Sequence, residues 1–512
     1  MFKNQVSEFI YKRTYSRWIE EENRREDWPE TIERFISFII SERPDIPEKT
    51  VNKIRKYMSE FAVMPSMRFL WAAGPAAKFD NTCIYNCSFA KINTVEAFAE
   101  CLYILMCGTG FGFSVEKEEV DKLPTIPEIK SGRGLEKIPI FDSKAGWADS
   151  VKMLMSNLYD GQNIYFDYSQ IRLEGARLRT MGGRASGPAP LIKLHDFIRE
   201  TMHNAQGRKL TTLEAHDICN QIAEIVVVGG VRRSSQISLS DINDKEMRHA
   251  KEWPFPIKRA MANNSAIFRE KPTAAQFLKE WAALALSGTG ERGIFNLNAA
   301  QNKAPSRRYA PLIQGTNPCG EIMLRDMEFC NLSEVVIRAE DDLDSLLDKV
   351  ETATWLGVIQ STFTYFPYLR ESWKKNCDVE RLLGVSLTGQ MDNPSILTSE
   401  ALAALKSRVL RISRKAAKVL GINVPVATTC VKPSGTVSQL VDSASGVHPR
   451  YSEYYIRRYR ISSRDPLFNL MKDSGIKANP EVGQKKKDAT TWVLEFPVKS
   501  PDGCITRKDV TA

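Results

Sequence analysis

The chain has no apolar run long enough to span a bilayer as a helix. The longest candidate, Ile222 to Val231, is interrupted by Glu224 and falls well short of the ~20 residues a span needs. The opening stretch, MFKNQVSEFIYKRTYSRWIEEENRRED, is charged throughout and lacks the apolar core of a secretory signal, so a cytoplasmic protein is expected. Histidine is scarce, with five in 512 residues. Cys83 and Cys87 have no second close Cys or His pair beside them, which argues against zinc and leaves no metal site to assign. The Walker spacing GxxxxGK is absent, as are internal repeats, low-complexity tracts and any zinc-finger, basic-zipper or RNA-recognition signature. Neither a nucleic-acid binder nor a membrane protein is expected. The ten cysteines are scattered, unlike a secreted disulfide scaffold, and read as reduced thiols.

What is present suits a large soluble enzyme: 43% hydrophobic and 26% charged residues, enough for a substantial core. The net charge of +9 is concentrated late, in Arg450, Arg457, Arg458, Arg460, Arg464 and Lys485-Lys486-Lys487. Such a run is a solvated face or a rim that steers small polyphosphates inward.

Chemistry concentrates in Gly315-Thr316-Asn317-Pro318-Cys319-Gly320-Glu321, followed by Cys330-Asn331-Leu332-Ser333. In an extended segment the amide, thiol and carboxylate at alternate positions share one face. Pro318 and Gly320 suit no helix interior, so a finger-like loop or short strand is expected. A return segment can bring Cys330 back beside Cys319. Singly, each residue has an ordinary structural explanation, since a buried Cys is commonly just a small hydrophobe. Jointly they point to a site working with sulfur and a carboxylate.

Asn-Pro-Cys-Gly-Glu with a second Cys eleven residues after the first resembles the active-site finger of ribonucleotide reductases. The resemblance implies that Cys319 carries the thiyl radical, Glu321 is the base, and Asn317 binds the ribose hydroxyls. It makes Cys330 half of a reducing pair and matches Cys87, in Asn86-Cys87-Ser88-Phe89, to the other half, with Cys83 as a less well matched alternative. Arg13 to Trp18 and Met64 to Arg68 resemble the opening of the monomeric, cobalamin-dependent class II enzymes, and there is no room for an ATP cone. Adenosylcobalamin is therefore the implied cofactor. No D-x-H-x-x-G segment is present, so no histidine of that motif displaces its lower base.

The implied fold is α/β: a ten-stranded barrel of the ribonucleotide reductase/glycyl-radical type around a finger loop, with a helical cap over residues 1–60 and the barrel over 61–512. Local patterns agree in part. Residues 5 to about 60 read as helical, with Trp18, Trp28, Ile32, Phe35, Ile36 and Ile39 on the apolar side. Asn81 to Phe89 reads as a strand, Asn93 with Glu96 as a capping box, and Gly108 to Glu116 as a glycine turn into a strand. Phe277 to Leu286 has helical spacing, Ile294 to Asn298 reads as a strand edge, and Leu402 to Val419 is a long amphipathic helix closed by Gly421. Gly175 to Pro190 and Gly229 to Ser234 are loop-like.

Lys432-Pro433-Ser434-Gly435-Thr436 follows an apolar strand and precedes a predicted helix, bringing backbone N–H groups and two hydroxyls to a helix start. In the resemblance Pro433, Ser434, Gly435 and Thr436 form the substrate-phosphate loop. Ser238 to Glu246, including Asp241, Asn243 and Lys245, matches the loop linking a deoxynucleotide effector to the substrate base; by its residues alone it is an ordinary polar loop.

The implied activity is reduction of ribonucleotides, at the triphosphate level, to 2′-deoxyribonucleotides. Its implied partners are the nucleotide substrate, a deoxynucleotide effector and a thioredoxin-like or small dithiol reductant. In the resemblance, relatives usually continue past the segment matching Val493 to Ala512 with a final barrel strand and a cysteine pair that Cys504 alone does not replace. The expectation is either a shorter closure of the fold or a second polypeptide supplying the last barrel segment. Two alternatives stand beside this reading. One is a class I-like catalytic subunit with a radical-generating partner, and the other is an inactive nucleotide-binding chain completed by a second polypeptide.

Overall fold

The computed structural model describes residues 2–130, 136–176, 185–228, 235–463 and 465–511. Helix Trp28–Glu42 begins at a capping box between Asp27 and Glu30, with Pro29 in its first turn, and buries Trp28, Ile32, Phe35, Ile36 and Ile39. Trp18 is not part of this face. It lies in the two-residue strand Trp18–Ile19, paired with Arg24–Arg25, and is exposed. The first sixty residues share one hydrophobic core with the rest of the chain: Phe9 packs on Tyr459 and Phe496, and Phe38 stacks on Phe363.

The main sheet has six strands in the order Gly293–Asn296, Ala262–Phe268, Gln236–Asp241, Gly110–Ser114, Cys87–Lys91 and Glu328–Phe329. The first five run parallel and the last is antiparallel. Helices Val95–Met106, Lys144–Tyr159, Ala189–Asn204 and Thr212–Val228 pack on one another. Phe111 and Phe113 join the core that these helices help to build. A second sheet joins Val63–Pro65, Ser333–Val336 and Val385–Thr388, backed by helix Leu343–Ser361, which is buried along most of its length. A third, antiparallel sheet orders Tyr454–Ser462, Thr491–Lys499 and Lys477–Pro480.

The expected ten-stranded barrel is not what the described strands form. They make one six-stranded sheet, two three-stranded sheets and three two-stranded pairs, with no hydrogen-bonded ladder joining the main sheet to the second. What links them is a second apolar cluster. It runs from Phe89, Ile237, Leu239 and Ile267 of the main sheet through Ile322 and Leu324 to Leu332 and Leu382 beside the second sheet.

Local expectations shift by a few residues for identifiable reasons. Only Cys87–Lys91 is a strand; Asn81–Ile84 is a 3₁₀ turn because the Asp80 carboxylate caps the Thr82 N–H. The next helix is capped by Thr94, while Asn93 donates to Glu119. Gly108, at φ +79°, ends that helix as expected. Leu297 and Asn298 begin a helix instead of extending a strand. Gly229 to Ser234, Arg464 and the middle of the Gly175 to Pro190 stretch lie outside the described residues, and Ala189 and Pro190 open a helix.

Candidate active site

The finger is a hairpin. Gly315–Thr316 pairs antiparallel with Met323–Leu324, the Asn317 N–H donates to the Ile322 carbonyl at 3.2 Å, and the Gly320 N–H donates to the Asn317 carbonyl at 2.9 Å. Gly320 sits at φ +80°, where a side chain would be strained, so the tip is a turn, in keeping with the expected finger-like loop. Asn317 braces this turn by accepting the Ile322 N–H on Oδ1 at 3.0 Å. Its buried Nδ2 lacks a well-formed hydrogen bond, and so does Oε2 of Glu321. The Asn317 amide and the Glu321 carboxyl interact with each other, and among the described residues no further protein group satisfies these two atoms, which leaves capacity for a ligand to complete. Burial raises the Glu321 carboxyl above the ordinary carboxylate range, against the opposing pull of Asn317 and Lys432.

The finger lies directly on the main sheet because glycines make room for it. A Cβ at Gly112 would stand 2.3 Å from the Thr316 carbonyl oxygen, and one at Gly315 would stand 2.2 Å from the Phe89 ring. A Cβ at Gly110 would come within 3.3 Å of both the Cys87 sulfur and Pro318. The alternation Gly110-Phe111-Gly112-Phe113 therefore has two jobs: phenylalanines for the core on one face, backbone floor for the finger on the other. That alternation was the available signal, and it read only as a turn into a strand.

The three expected thiols meet. The register pairing Glu328 with Phe89 and Phe329 with Ser88 places Cys330 across from Cys87, and the Cys330 N–H donates to the Cys87 carbonyl at 2.9 Å. The Cys87 thiol is close enough to Cys319 and Cys330 for each to influence its ionisation. Cys319 favours a Cys87 thiolate, but Cys330 and burial outweigh it and hold Cys87 protonated well above the ordinary thiol range. Cys87 and burial likewise push the Cys319 thiol up. Both sulfurs keep their hydrogens at neutral pH. Cys87 and Cys330 are buried, Cys319 is exposed at the finger tip, and all three are free thiols. Cys83 is elsewhere: its thiol donates to the Asp80 carbonyl at 3.1 Å, and burial raises its pKa to about 11.

Lys432 and Glu334 form a buried ion pair beside the finger, and the Ser434 hydroxyl donates to Glu334 at 3.1 Å. Nothing in the local sequence marks Glu334, and Lys432 contributes a positive charge felt by both Glu321 and Cys319. Gly435, at φ +59°, leads into the short helix Thr436–Leu440, and Thr436 shares a 3.0 Å hydrogen bond with Tyr15. Of the two hydroxyls expected to face an anion, Ser434 is committed to Glu334 and Thr436 to Tyr15. Gly435 and Thr436 border a cavity of about 660 Å³ that also takes in Gln439, His448, Arg457 and Arg507. Cys430, whose thiol burial and Glu321 push up, is a further site neighbour that no motif marked.

The four effector-loop residues do not share one loop. Ser238 is buried within strand Gln236–Asp241, its hydroxyl 3.0 Å from His216 Nδ1, and Asp241 at the strand end accepts the Lys117 N–H at 2.6 Å. Asn243 and Lys245 are exposed, Lys245 at the first position of helix Lys245–His249. The alternation in Gln-Ile-Ser-Leu-Ser-Asp is that of a strand whose small polar residues are satisfied internally.

Comparison with known proteins agrees with this geometry. The family model "Ribonucleotide reductase alpha domain" matches residues 1–75, and "B12-dependent ribonucleotide reductase, insertion domain" matches residues 127–202. The chain is 28% identical to the adenosylcobalamin-dependent ribonucleoside-triphosphate reductase of Lactobacillus gasseri, covering 96% of this chain and 79% of that one. It is 27% identical to the same-named protein of Levilactobacillus brevis, covering 96% and 78%. Among solved structures, a B12-dependent (class II) ribonucleotide reductase superposes with a TM-score of 0.83 at 24% identity, over 97% of this chain and 82% of that one. The class Id alpha subunit of Actinobacillus ureae gives 0.55 at 14% identity, over 92% and 79%.

The fold is that of a ribonucleotide reductase catalytic chain. In sequence as well as fold the chain is a relative of those enzymes, most like the adenosylcobalamin-dependent class II type. The insertion-domain match, which spans helix Lys144–Tyr159 and most of Ala189–Asn204, was not singled out by any motif.

Proposed function

We propose that this chain reduces ribonucleoside triphosphates to 2′-deoxyribonucleotides by thiyl-radical chemistry, with adenosylcobalamin as the radical source. The observation that carries the reading is the register that sets Cys330 opposite Cys87, with Cys319 near enough to influence the Cys87 thiol and with the Glu321 carboxyl and Asn317 amide beside them. The finger tip suits a bulky cofactor: Cys319 is exposed, and the space where a Gly320 side chain would sit is open. When bound there, adenosylcobalamin supplies an organic radical by homolysis. The residues that would meet it are Cys319 and Gly320.

The remaining steps belong to the chain's own residues. Cys319, once a thiyl, takes the 3′-hydrogen of the ribose, a step open to no acid or base. Glu321 accepts the 3′-OH proton as the 2′-oxygen leaves as water, its raised pKa matching it to that task. The Nδ2 of Asn317 donates to a ribose hydroxyl. Cys87 and Cys330 give two electrons and close into a disulfide. With the Ser434 and Thr436 hydroxyls engaged by Glu334 and Tyr15, the Gly435 and Thr436 end of the Pro433 to Thr436 loop would receive the phosphates on the cavity side, where Arg457 and Arg507 supply positive charge. Burial of the thiol pair keeps stray oxidants from it.

A deoxynucleotide effector and a thioredoxin-like or small dithiol reductant complete the proposed partners, in a cytoplasmic setting that keeps the thiols reduced. A second polypeptide is a further proposed partner; it would not pair with Val385–Thr388, whose outer side already carries the backbone of residues 427–430 through the Leu383 N–H to Ala427 and Val385 N–H to Thr428 hydrogen bonds. The class I-like alternative has less support, since the class Id likeness is much the weaker of the two. The test is an assay with adenosylcobalamin, a dithiol and each ribonucleotide as di- and triphosphate. Deoxynucleotide formed from triphosphates only with the cofactor supports the reading, and cofactor-independent turnover with a metal-containing partner subunit overturns the cofactor assignment.

A further inference from the structure

A second cluster of reactive side chains lies outside the site. Lys144 Nζ is 2.9 Å from Cys107 Sγ and 3.2 Å from Asp80 Oδ2, and the Cys107 thiol is 3.4 Å from the same carboxylate oxygen. Tyr103 donates to that oxygen at 2.8 Å, and its ring lies 5.1 Å from the ammonium. Lys144 is the first residue of helix Lys144–Tyr159, where the helix dipole disfavours a cation. Asp80 and Cys107 therefore hold it there. Cys107 itself is fully buried, but the Lys144 side chain is 28% exposed, so a small oxidant can enter along it.

We propose that Cys107 and Lys144 are an oxidative modification site at which peroxide installs a covalent S–O–N bridge. A nitrogen and a sulfur 2.9 Å apart are too far for a direct bond and are at the separation that one intervening oxygen spans. The Cys107 thiol first loses two electrons to one hydrogen peroxide and becomes a sulfenic acid, releasing one water. The ammonium passes its extra proton through Asp80 to solvent. The neutral amine and the sulfenic hydroxyl then lose two further electrons to a second peroxide, forming the N–O bond and releasing two waters. In sum, thiol, amine and two peroxides give the bridge and three waters. Reduction by a dithiol reopens it.

The bridge would act on the neighbourhood of Cys87. Cys107 is followed by Gly108 and by Thr109, whose hydroxyl donates to the Thr82 and Tyr85 carbonyls at 2.9 Å, and the Gly110 N–H donates to the Asn86 carbonyl at 2.8 Å. Tying Cys107 to Lys144 fixes the turn that carries these bonds. The proposal rests on the cluster alone and not on the radical reading, so either can fail without the other.

The full chain is treated with hydrogen peroxide, unfolded, digested without reductant and mapped by mass spectrometry. The expected result is a cross-linked pair joining Cys107 and Lys144, heavier than the two peptides by one oxygen less two hydrogens, and lost on dithiothreitol treatment. Lys144→Arg keeps the charge facing Asp80 and should fold normally yet give no cross-link; Cys107→Ser should give none either. Three results overturn the proposal: Cys107 as freely alkylated after peroxide as before, a cross-link lacking the oxygen, or a disulfide from Cys107 to Cys83.

Discussion

Cys83 and Cys87 stand four residues apart, yet the fold sends them to opposite kinds of surroundings. Around Cys87 the neighbours are other thiols, and the nearby carboxyl and amide keep capacity for a ligand. Around Cys83 are the Asp80 carbonyl, which accepts its thiol, and the charges of Arg68, Asp80 and Lys144. The boundary is made by Asp80, whose carboxylate caps the Thr82 N–H and turns the chain before strand Cys87–Lys91 begins. Two thiols four residues apart thus differ in their neighbours and not in residue type.

The largest break in this comparison should come from Cys319→Ser, with turnover falling by roughly 10³-fold or more while folding is kept, because the residue is exposed and the change is nearly isosteric. Unchanged turnover would remove the thiyl step. Glu321→Gln should lower turnover by about 10²- to 10⁴-fold. The same variant sharpens the pH behaviour. A base must be deprotonated to act, so the wild-type rate should rise with pH through a midpoint above the ordinary carboxylate range, where burial places Glu321, and Gln should erase that limb of the profile.

Lys432→Met tests the ion pair at the site's edge. It leaves the Glu334 carboxylate buried and unpaired, for a loss of about 3–5 kcal/mol in denaturant unfolding. Lys432→Arg should recover most of that loss. Gly112→Ala should cost about 1–3 kcal/mol, since the new methyl meets the Thr316 carbonyl oxygen and the finger must lift. It should also reduce turnover without any change of a chemical group. Smallest of all, Cys83→Ser should leave turnover within about twofold, since its thiol is used in a local hydrogen bond to the Asp80 carbonyl, which a hydroxyl can also make. A Cys83→Ser variant as inactive as Cys87→Ser would abolish the distinction between the two regions.

How much of this was legible in the sequence obeys the same division. Asn317, Cys319 and Glu321 were legible because their chemistry is contiguous, and Pro318 with Gly320 ruled out a helix around them. Cys87 emerged only through the family resemblance, because the register that sets it across from Cys330 joins segments far apart in sequence. Glu334 and Cys430 were not legible, since each acquires its meaning from a neighbour on another element. Ser238 was misread because a small polar residue in a strand looks like loop until its partner, His216, is seen. Barrel closure was carried over from the family, and the described ladders do not join the six-stranded sheet to the Val63–Pro65, Ser333–Val336 and Val385–Thr388 sheet.

The central claim is that Cys87 and Cys330 supply the electrons. It is tested most directly by supplying the chain with adenosylcobalamin and one ribonucleoside triphosphate, withholding all reductant, quenching in acid and mapping disulfides alongside product. The expected result is about one deoxynucleotide per chain, matched by an equal amount of a disulfide joining Cys87 to Cys330, the pair that the antiparallel register sets face to face. Product formed with both thiols still free, or with a disulfide that includes Cys83, would contradict it.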